Sequence, residues 1–576
     1  MTRTDWRWLL AFVLFAACYQ LLAWNGATPF VFLTGDAANN ASIALAMDTP
    51  GLFPGDALLG DPDNFQFYRI TQLPLIRLLA PLVGDYGTPH HLLLFPHLML
   101  HLCGFYLLGV LVLKNRLWAG LLAFLLLAPI QVNLGTFWGV HRDSLARCTF
   151  QALLPWLLSL AWLWREKPLR WPLIMIGAGL LMAVHAVSAP TWGLALWCGF
   201  IPFLPKVWSW PRKLVVMFAL GFVFLGAAAP TALNYLAGHA HGADVTVFPG
   251  TGGIWEPLNK AQEFLWEVKY EAVRQAWLDR FKTQTGLLQL GAAIAGFFTP
   301  AMIVLLAAGL SGAWWLRRAR PQTRSSSTLI LAWLTGVLLV SVGLTAVEQL
   351  YCMLTDSVPV EMNLIRGLRF LIPIMLLFIV WVLCSWHEQL KDRSAAIAWG
   401  WAARNRRRLA TWLLVAAVLA VIGAWGEELG RRTRYQRQGY MLTMAPAQQE
   451  LVDALDFLRE ETPPGSLVLG IGEKRDRLLT IRYYGERPVP YAWKDGGVLG
   501  YADNGKMLAW HTNYLRWQAI EAMEDPVQRE AKWAGFAKSL GADYVFRSWE
   551  PGEEQIPLPG AQVVFAADSV VIYRMD

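Results

Sequence analysis

The sequence predicts a polytopic α-helical membrane protein of about eleven transmembrane helices with a C-terminal extracytoplasmic α/β domain, and three observations carry that prediction. Apolar stretches of about 17 to 25 residues, the length that crosses a bilayer core, recur from Trp6 to Trp425. A chain of 576 residues with 55% hydrophobic and 16% charged residues and a mean hydropathy of +0.37 is too apolar for one soluble domain. The ionisable residues beside those stretches gather on one face: Asp36, His141, Arg142, Asp143, Arg147, His185, Glu348, Arg366 and Arg369. Charge held that close to lipid is costly and usually functional.

Spans are read near 7–24, 91–113, 117–134, 145–164, 172–187, 189–204, 214–236, 289–316, 328–347, 368–386 and 409–426. With Arg3 and Arg7 cytoplasmic, the inside loops hold Lys114 and Arg116, then Arg165, Lys167 and Arg170, then Lys206, Arg212 and Lys213, then Arg317, Arg318, Arg320 and Arg324, then Lys391 through Arg408. Every one is basic, as the positive-inside rule demands. These loops account for the net charge of +7 and the pI near 9.0, so no nucleic-acid partner is expected. The first apolar run is too long for a signal-peptide core and shows no small-residue cleavage site before Asp36, so it is read as a retained helix. The expected division is a membrane domain, 1–426, with outer loops 25–90 and 237–288, and an outer domain, 427–576. Trp6, Trp8 and Trp24 flank the first span and Trp162, Trp164 and Trp171 flank one loop, as in an interfacial aromatic belt. None of the six Cys falls after residue 384, and no disulfide framework or metal-type CxxC is offered.

In the first outer loop, Asp36 stands where the chain leaves the first helix. Ala37 to Met47 then has the spacing of a short amphipathic helix lying on the membrane, and Asp48-Thr49-Pro50-Gly51 stops it. A second amphipathic stretch follows at Phe67 to Leu79. Taken alone, Asp36 reads equally as an N-cap or as a functional carboxylate. His141-Arg142-Asp143 has the letters of a kinase triplet without its downstream Asn and in membrane surroundings, so it is no kinase sign. Arg142 and Arg147 stand near the outer start of the fourth span, where snorkelling to lipid head groups is the alternative use. His185 ends the fifth span. Arg366 and Arg369, three residues apart and so on one face, stand at the mouth of span 368–386.

His97 and His101 lie at i,i+4, a spacing that lets two imidazoles share a metal. The sequence places no acidic or Cys partner beside them, so no metal site is assigned. His239, His241 and Gly250-Thr251-Gly252-Gly253 in the second outer loop read as a lid or as plain connection; the glycines lack the Lys-Ser/Thr ending of a P-loop. In the tail, Glu450 to Arg459 reads as a helix, Thr462 to Gly465 as a turn, and Ser466–Gly470, Gly541–Phe546, Ala561–Ala566 and Val570–Arg574 as strands. Between them, Arg482 to Pro488 and Tyr491 to Gly497 mix aromatic and charged residues, as a glycan-binding surface or a solvated loop does.

This layout resembles the GT-C superfamily of membrane glycosyltransferases that use polyprenyl-phosphate sugars, related to protein mannosyltransferases and lipid A aminoarabinose transferases. Asp36 to Met47, followed by Asp48-Thr49-Pro50-Gly51-Leu52-Phe53-Pro54, is similar to the family's run from catalytic acid through a short helix to a Pro-terminated turn. The resemblance implies that Asp36 is the catalytic base and that the tail is the outer domain of bacterial members. Ala37 stands where many members carry a second acid. Tyr68-Arg69 to Pro74 occupies the place of the family's Lys-Pro-Pro element, which makes Tyr68 and Arg69 candidate substrate contacts.

The residues suit this chemistry by themselves. Moving a sugar from a lipid phosphate to a hydroxyl needs one base and no acid, because phosphate leaves as a stable anion; glycoside hydrolysis, by contrast, needs two carboxyls. The leaving phosphate needs positive charge, and Arg is the side chain best shaped to grip it. The expected assignment is Asp36 as base, Arg366, Arg369, Arg142 and Arg147 on the donor phosphate, and His141, Asp143, His185, Glu348, Tyr68, Arg69, Trp493 and Lys494 on substrate. The expected protein is a bacterial inner-membrane enzyme with its N-terminus cytoplasmic and its tail extracytoplasmic. It transfers a sugar, with inversion, from a polyprenyl-phosphate donor to an extracytoplasmic glycan, lipid or protein, as in polysaccharide biosynthesis of the cell envelope. It requires no cofactor beyond that donor, and its partners are membrane lipids, donor and acceptor; a divalent metal has no support. The alternatives are a transporter or flippase of lipid-linked saccharides, which would show repeats and midplane sites, and a non-catalytic glycan-binding member of an assembly complex.

Overall fold

The computed structural model describes residues 2–24, 33, 35–65, 68, 70–131, 137–141, 143–241, 287–355, 364–392, 405–436, 446–472, 477–502, 504–549 and 555–576. Among the described residues seven helices are long and apolar enough to cross a membrane: Arg3–Ala23, Thr88–Leu113, Trp210–Asn234, Pro300–Ala319, Pro321–Tyr351, Leu364–Lys391 and Arg406–Gly426. Gln72–Val83, Arg116–Leu127 and Pro168–Ala183 are shorter apolar helices, and Ala146–Trp164 and Ser188–Phe200 pack among them. Most expected spans coincide with a helix, but 289–316 is broken into Leu287–Phe297 and Pro300–Ala319. Pro300 supplies no amide donor and fits only a first turn, and Thr299 Oγ1 caps that turn by accepting from Met302 N at 3.4 Å.

Burial ranks the helices. Leu364–Lys391 has 89% of its apolar window inside the protein, whereas Trp210–Asn234 and Arg406–Gly426 have 17% and 11%. The first is therefore the axis of the bundle. The other two present side chains such as Phe218, Phe222 and Leu419 outward, a surface that suits acyl chains and not water. Small residues let helices touch: a Cβ on Gly336 would come within 2.3 Å of the Ala195 backbone.

Polar contacts sort the two ends of the bundle. At one end Asp5 pairs with Arg116 at 2.9 Å, Ser325 donates to Glu166 at 3.3 Å and Arg320 reaches Glu388 at 3.8 Å, which gathers the basic loops. The opposite end carries the first outer loop and the tail.

The tail contains a four-stranded sheet in which Val468–Ile471 runs parallel to Tyr544–Ser548, followed by Val570–Met575 and Ala561–Ala566, each antiparallel to its neighbour. The strand expectations hold within three residues, and the helix expected from Glu450 spans Pro446–Glu461. Asn504–Glu521 and Pro526–Ser539 add Trp510, Trp517, Trp533 and Phe536 to the core, the second helix capped by Asp525.

Two expectations fail here for one physical reason, the closeness of tail and first outer loop. The helix expected on the membrane surface forms as Gly35–Asp48, but every residue from Ala37 to Ala46 is buried. Ala37, Ala38 and Ala41 pack with Leu455, Ile481 and Tyr483 of the tail, and Ile43 and Leu45 share a core with Trp510 and Trp517. Nor are Arg482 to Pro488 and Tyr491 to Gly497 an open glycan surface or a solvated loop: Arg482, Tyr483, Tyr484, Arg487, Tyr491 and Asp495 are all buried, and Trp493 and Lys494 stay partly exposed. The second stretch is amphipathic as expected but begins at Gln72, with Leu73 and Ile76 buried and Leu78 and Leu82 turned outward.

Candidate active site

A cavity of about 130 Å³ opens at the end of the bundle opposite the basic loops, and its walls come from five segments. Asp36 is the second residue of Gly35–Asp48, inside the first turn and not ahead of it, so its carboxylate benefits from the helix N-terminus and points into the cavity with 48% of its side chain exposed. Asn40, one turn on, lies on the same face. Arg147 is the second residue of Ala146–Trp164 and turns toward Asp36, its Nη2 3.9 Å from Oδ2, so it faces the cavity and not the head groups.

The arginines at the mouth of the axial helix sit on a 3₁₀ segment, Leu364–Phe370. With three residues per turn, Arg366 and Arg369 project in one direction, and both line the cavity. Arg369 is only 4% exposed; its Nη2 donates to Ser188 Oγ at 2.6 Å, while its Nε has no partner among the described residues. His185, in the turn after Pro168–Ala183, lines the cavity and its Nδ1 accepts from Ser188 N at 3.2 Å. Tyr68 completes the wall.

The tail reaches this site too. Lys494 Nζ lies 2.6 Å from Asp36 Oδ1. Desolvation within the cavity works to raise the Asp36 carboxyl, but Lys494 first and then Arg147 and Arg366 hold it well below the usual carboxylate range. Burial, together with the charge of Asp36, pushes the Tyr68 hydroxyl up, so it stays a neutral donor.

Other expected site residues are not brought here. His141 Nδ1 bonds to the fully buried Asp143, and His141 lines a separate, smaller cavity with His97, His101 and Gln151. Glu348 lies on Thr345–Thr355, outside the cavity lining, and Trp493 lies under Lys494, its ring centroid 5.6 Å from Nζ. Arg142, Arg69 and most of the second outer loop, with Gly250 to Gly253, lie outside the described residues. His97 bonds the hydroxyls of Ser144 and Thr149 at 2.7 and 3.0 Å, and His101 the Leu126 carbonyl at 3.2 Å, which occupies them structurally. Among the described residues no three His, Cys, Asp or Glu side chains converge as a metal site.

Asn40 and Ser188 escaped sequence reading. Asn40 is 2% exposed and its Oδ1 has no partner among the described residues. The signal was present: Asn39-Asn40 is a polar pair in an alanine-rich helix one turn after the key acid.

No family model matches the sequence, and no curated protein matches it. Among solved structures, the chain is similar to the crystal structure of ArnT from Cupriavidus metallidurans bound to undecaprenyl phosphate, with 14% sequence identity over 99% of this chain and 98% of that chain and a TM-score of 0.45.

Proposed function

We propose that the protein is an integral membrane glycosyltransferase of the GT-C type, which moves a sugar from a polyprenyl-phosphate donor to an extracytoplasmic glycan, lipid or protein. The observation that carries this reading is the cavity itself: one carboxylate, Asp36, faces three arginines, Arg147, Arg366 and Arg369, at the mouth of apolar helices. A nearly buried guanidinium with no carboxylate on it among the described residues is costly unless an anion arrives. A lipid phosphate is such an anion, and the apolar helices offer its chain a path.

In the proposed reaction the acceptor oxygen attacks the anomeric carbon from the face opposite the phosphate, which inverts the configuration. Asp36 takes the hydroxyl proton, and the bonding pair leaves with the phosphate, where Arg366, Arg369 and Arg147 stabilise the developing charge. Tyr68, His185 and Lys494 contact substrate. The protein sits in a bacterial inner membrane with the cavity and tail outside.

Asp36→Asn tests this reading, because it removes the proton acceptor at nearly constant volume. Transfer from a polyprenyl-phosphate sugar should fall by about 10²- to 10⁴-fold while the variant still folds and binds lipid phosphate; near-normal turnover would refute Asp36 as base. A tag after Asp576 should be reachable from outside and one at Met1 only from the cytoplasm, and both ends on one side would overturn the orientation.

A further inference from the structure

The base proposed above is already engaged by cations of the protein itself. Asp36 Oδ1 lies 2.6 Å from Lys494 Nζ, and Oδ2 lies 3.9 Å from Arg147 Nη2. A carboxylate gripped by an ammonium at that distance is a poor proton acceptor, so a base at Asp36 has to be released before it can act.

The place of Lys494 is built. It is the middle residue of the single turn Trp493–Asp495, and Asp495 is fully buried, accepting from Arg482 Nη1 and Nη2 at 2.6 and 2.8 Å. Arg482 also donates through Nε and Nη2 to Asp56 at 2.8 Å each, in the same outer loop that carries Asp36. The backbone under Lys494 is thus pinned to the loop of Asp36, while its side chain, 23% exposed, stays at the cavity. Asp36 is the only carboxylate among the described lining residues, against Arg147, Arg366 and Arg369. With Lys494 added, four cations face one anion.

We infer that Lys494 is an exchangeable counter-ion, which holds Asp36 while the cavity is empty and passes to the donor phosphate when the cavity fills. This rests on the reading of Asp36 as base. Filling the site would supply the anion that draws the ammonium away and leave the carboxylate able to accept a proton. In the transfer that follows, the acceptor oxygen bonds to the anomeric carbon, the carbon–phosphate oxygen bond breaks with its electron pair going to phosphate, and the hydroxyl proton goes to Asp36. Lys494, now on the phosphate, meets the charge that develops there. Without donor the base stays masked, so activation of water or acceptor waits for donor.

The groups facing Asp36 are Lys494 from the tail, Arg147 from Ala146–Trp164, Arg366 from the 3₁₀ segment, Tyr68 from the outer loop and His185 from the turn before Ser188–Phe200. The test uses the full chain in lipid nanodiscs with a polyprenyl phosphate as probe, and follows the infrared band of the protonated Asp36 carboxyl, identified by its loss in Asp36→Asn. Saturating polyprenyl phosphate should raise the midpoint pH of that band by about one unit or more in the wild type. In Lys494→Gln the midpoint should already be high without lipid and move little with it, and polyprenyl phosphate affinity should fall about tenfold or more. Lys494→Arg should keep most of that affinity. An Asp36 midpoint that bound lipid phosphate leaves unmoved, or unchanged affinity in Lys494→Gln, would make Lys494 a fixed tie and overturn the exchange alone. A wild type that binds no polyprenyl phosphate would overturn the glycosyltransferase reading and this inference together.

Discussion

Two buried arginines near the cavity end of the bundle have opposite surroundings. Arg482 is fully enclosed and four of its contacts go to the carboxylates of Asp56 and Asp495; Asp56 also accepts from Leu58 N, Leu59 N and Val489 N at 2.7 to 2.9 Å. Burial alone would weaken the Arg482 charge, but Asp495 and Asp56 more than reverse that and fix it. Arg369 is 4% exposed yet has a serine hydroxyl in place of a carboxylate, and two further arginines share its cavity. Burial of a charge therefore says little about its use. What surrounds it decides: a guanidinium saturated by carboxylates fastens the fold, and one without them keeps capacity for an added anion.

The sharpest way to break this comparison is to delete each charge. Arg482→Met leaves two carboxylates buried without their cation and should cost about 3 to 5 kcal/mol, read as a lowered unfolding midpoint. Arg369→Met, which removes an uncompensated charge, should leave that midpoint unchanged or raise it; equal losses in both variants would erase the distinction.

A smaller effect is expected on ligand binding. Arg366→Gln or Arg369→Gln should weaken polyprenyl phosphate binding by about 1.5 to 3 kcal/mol each, the worth of a charge-assisted contact. Lys at either position should rescue only part, because it restores the field without the planar two-point grip. If Lys serves as well as Arg and Gln alters only membrane stability, the arginines are anchors. Equal transfer in all forms, with folded protein quantified, would remove both from the site.

The smallest effect concerns an exposed tie between the tail and the loop that holds Asp56, Lys506 to Asp61 at 2.6 Å. The hydrogen bond from Lys506, with that from Asp63 N, holds the Asp61 carboxyl below its ordinary value. A depressed carboxyl stabilises the fold above the ordinary value of about 3.9 and loses that contribution as pH falls through the depressed one. Asp61→Asn should therefore flatten the acid side of the stability curve below about pH 4 by about 0.2 to 1 kcal/mol, the range for exposed pairs. An unchanged acid limb would show that the tie contributes nothing.

Much of the membrane part was legible, because a bilayer imposes length and polarity on each helix and the residues at a helix mouth follow from its boundaries. Asp36, Arg147, His185, Arg366 and Arg369, read in that way, line one cavity. The break before Pro300 was also written in the chain, as Thr299-Pro300, a helix-start signature inside an apolar run. What covers the helix Gly35–Asp48 was not legible: its pattern suited a one-sided surface helix, and only the partners reveal that it is enclosed. Arg482 to Asp495 misled for a related reason. Aromatic and charged residues together describe a sugar platform and a saturated internal network equally well, and the acid that distinguishes them, Asp56, is 426 residues away.

That separation has a bearing on how the protein is made. At a synthesis rate of about 5 to 20 residues per second, the 426 residues between Asp56 and Arg482 take roughly 20 to 85 s to emerge. Throughout that interval Asp56 lacks its guanidinium, and Ile43, Phe53, Leu58 and Phe65 lack the tryptophans of their shared core. An early segment of the chain is thus completed by a late one. A nascent chain halted anywhere before the tail leaves Asp56 and these apolar side chains uncovered, a natural target for chaperones and proteases.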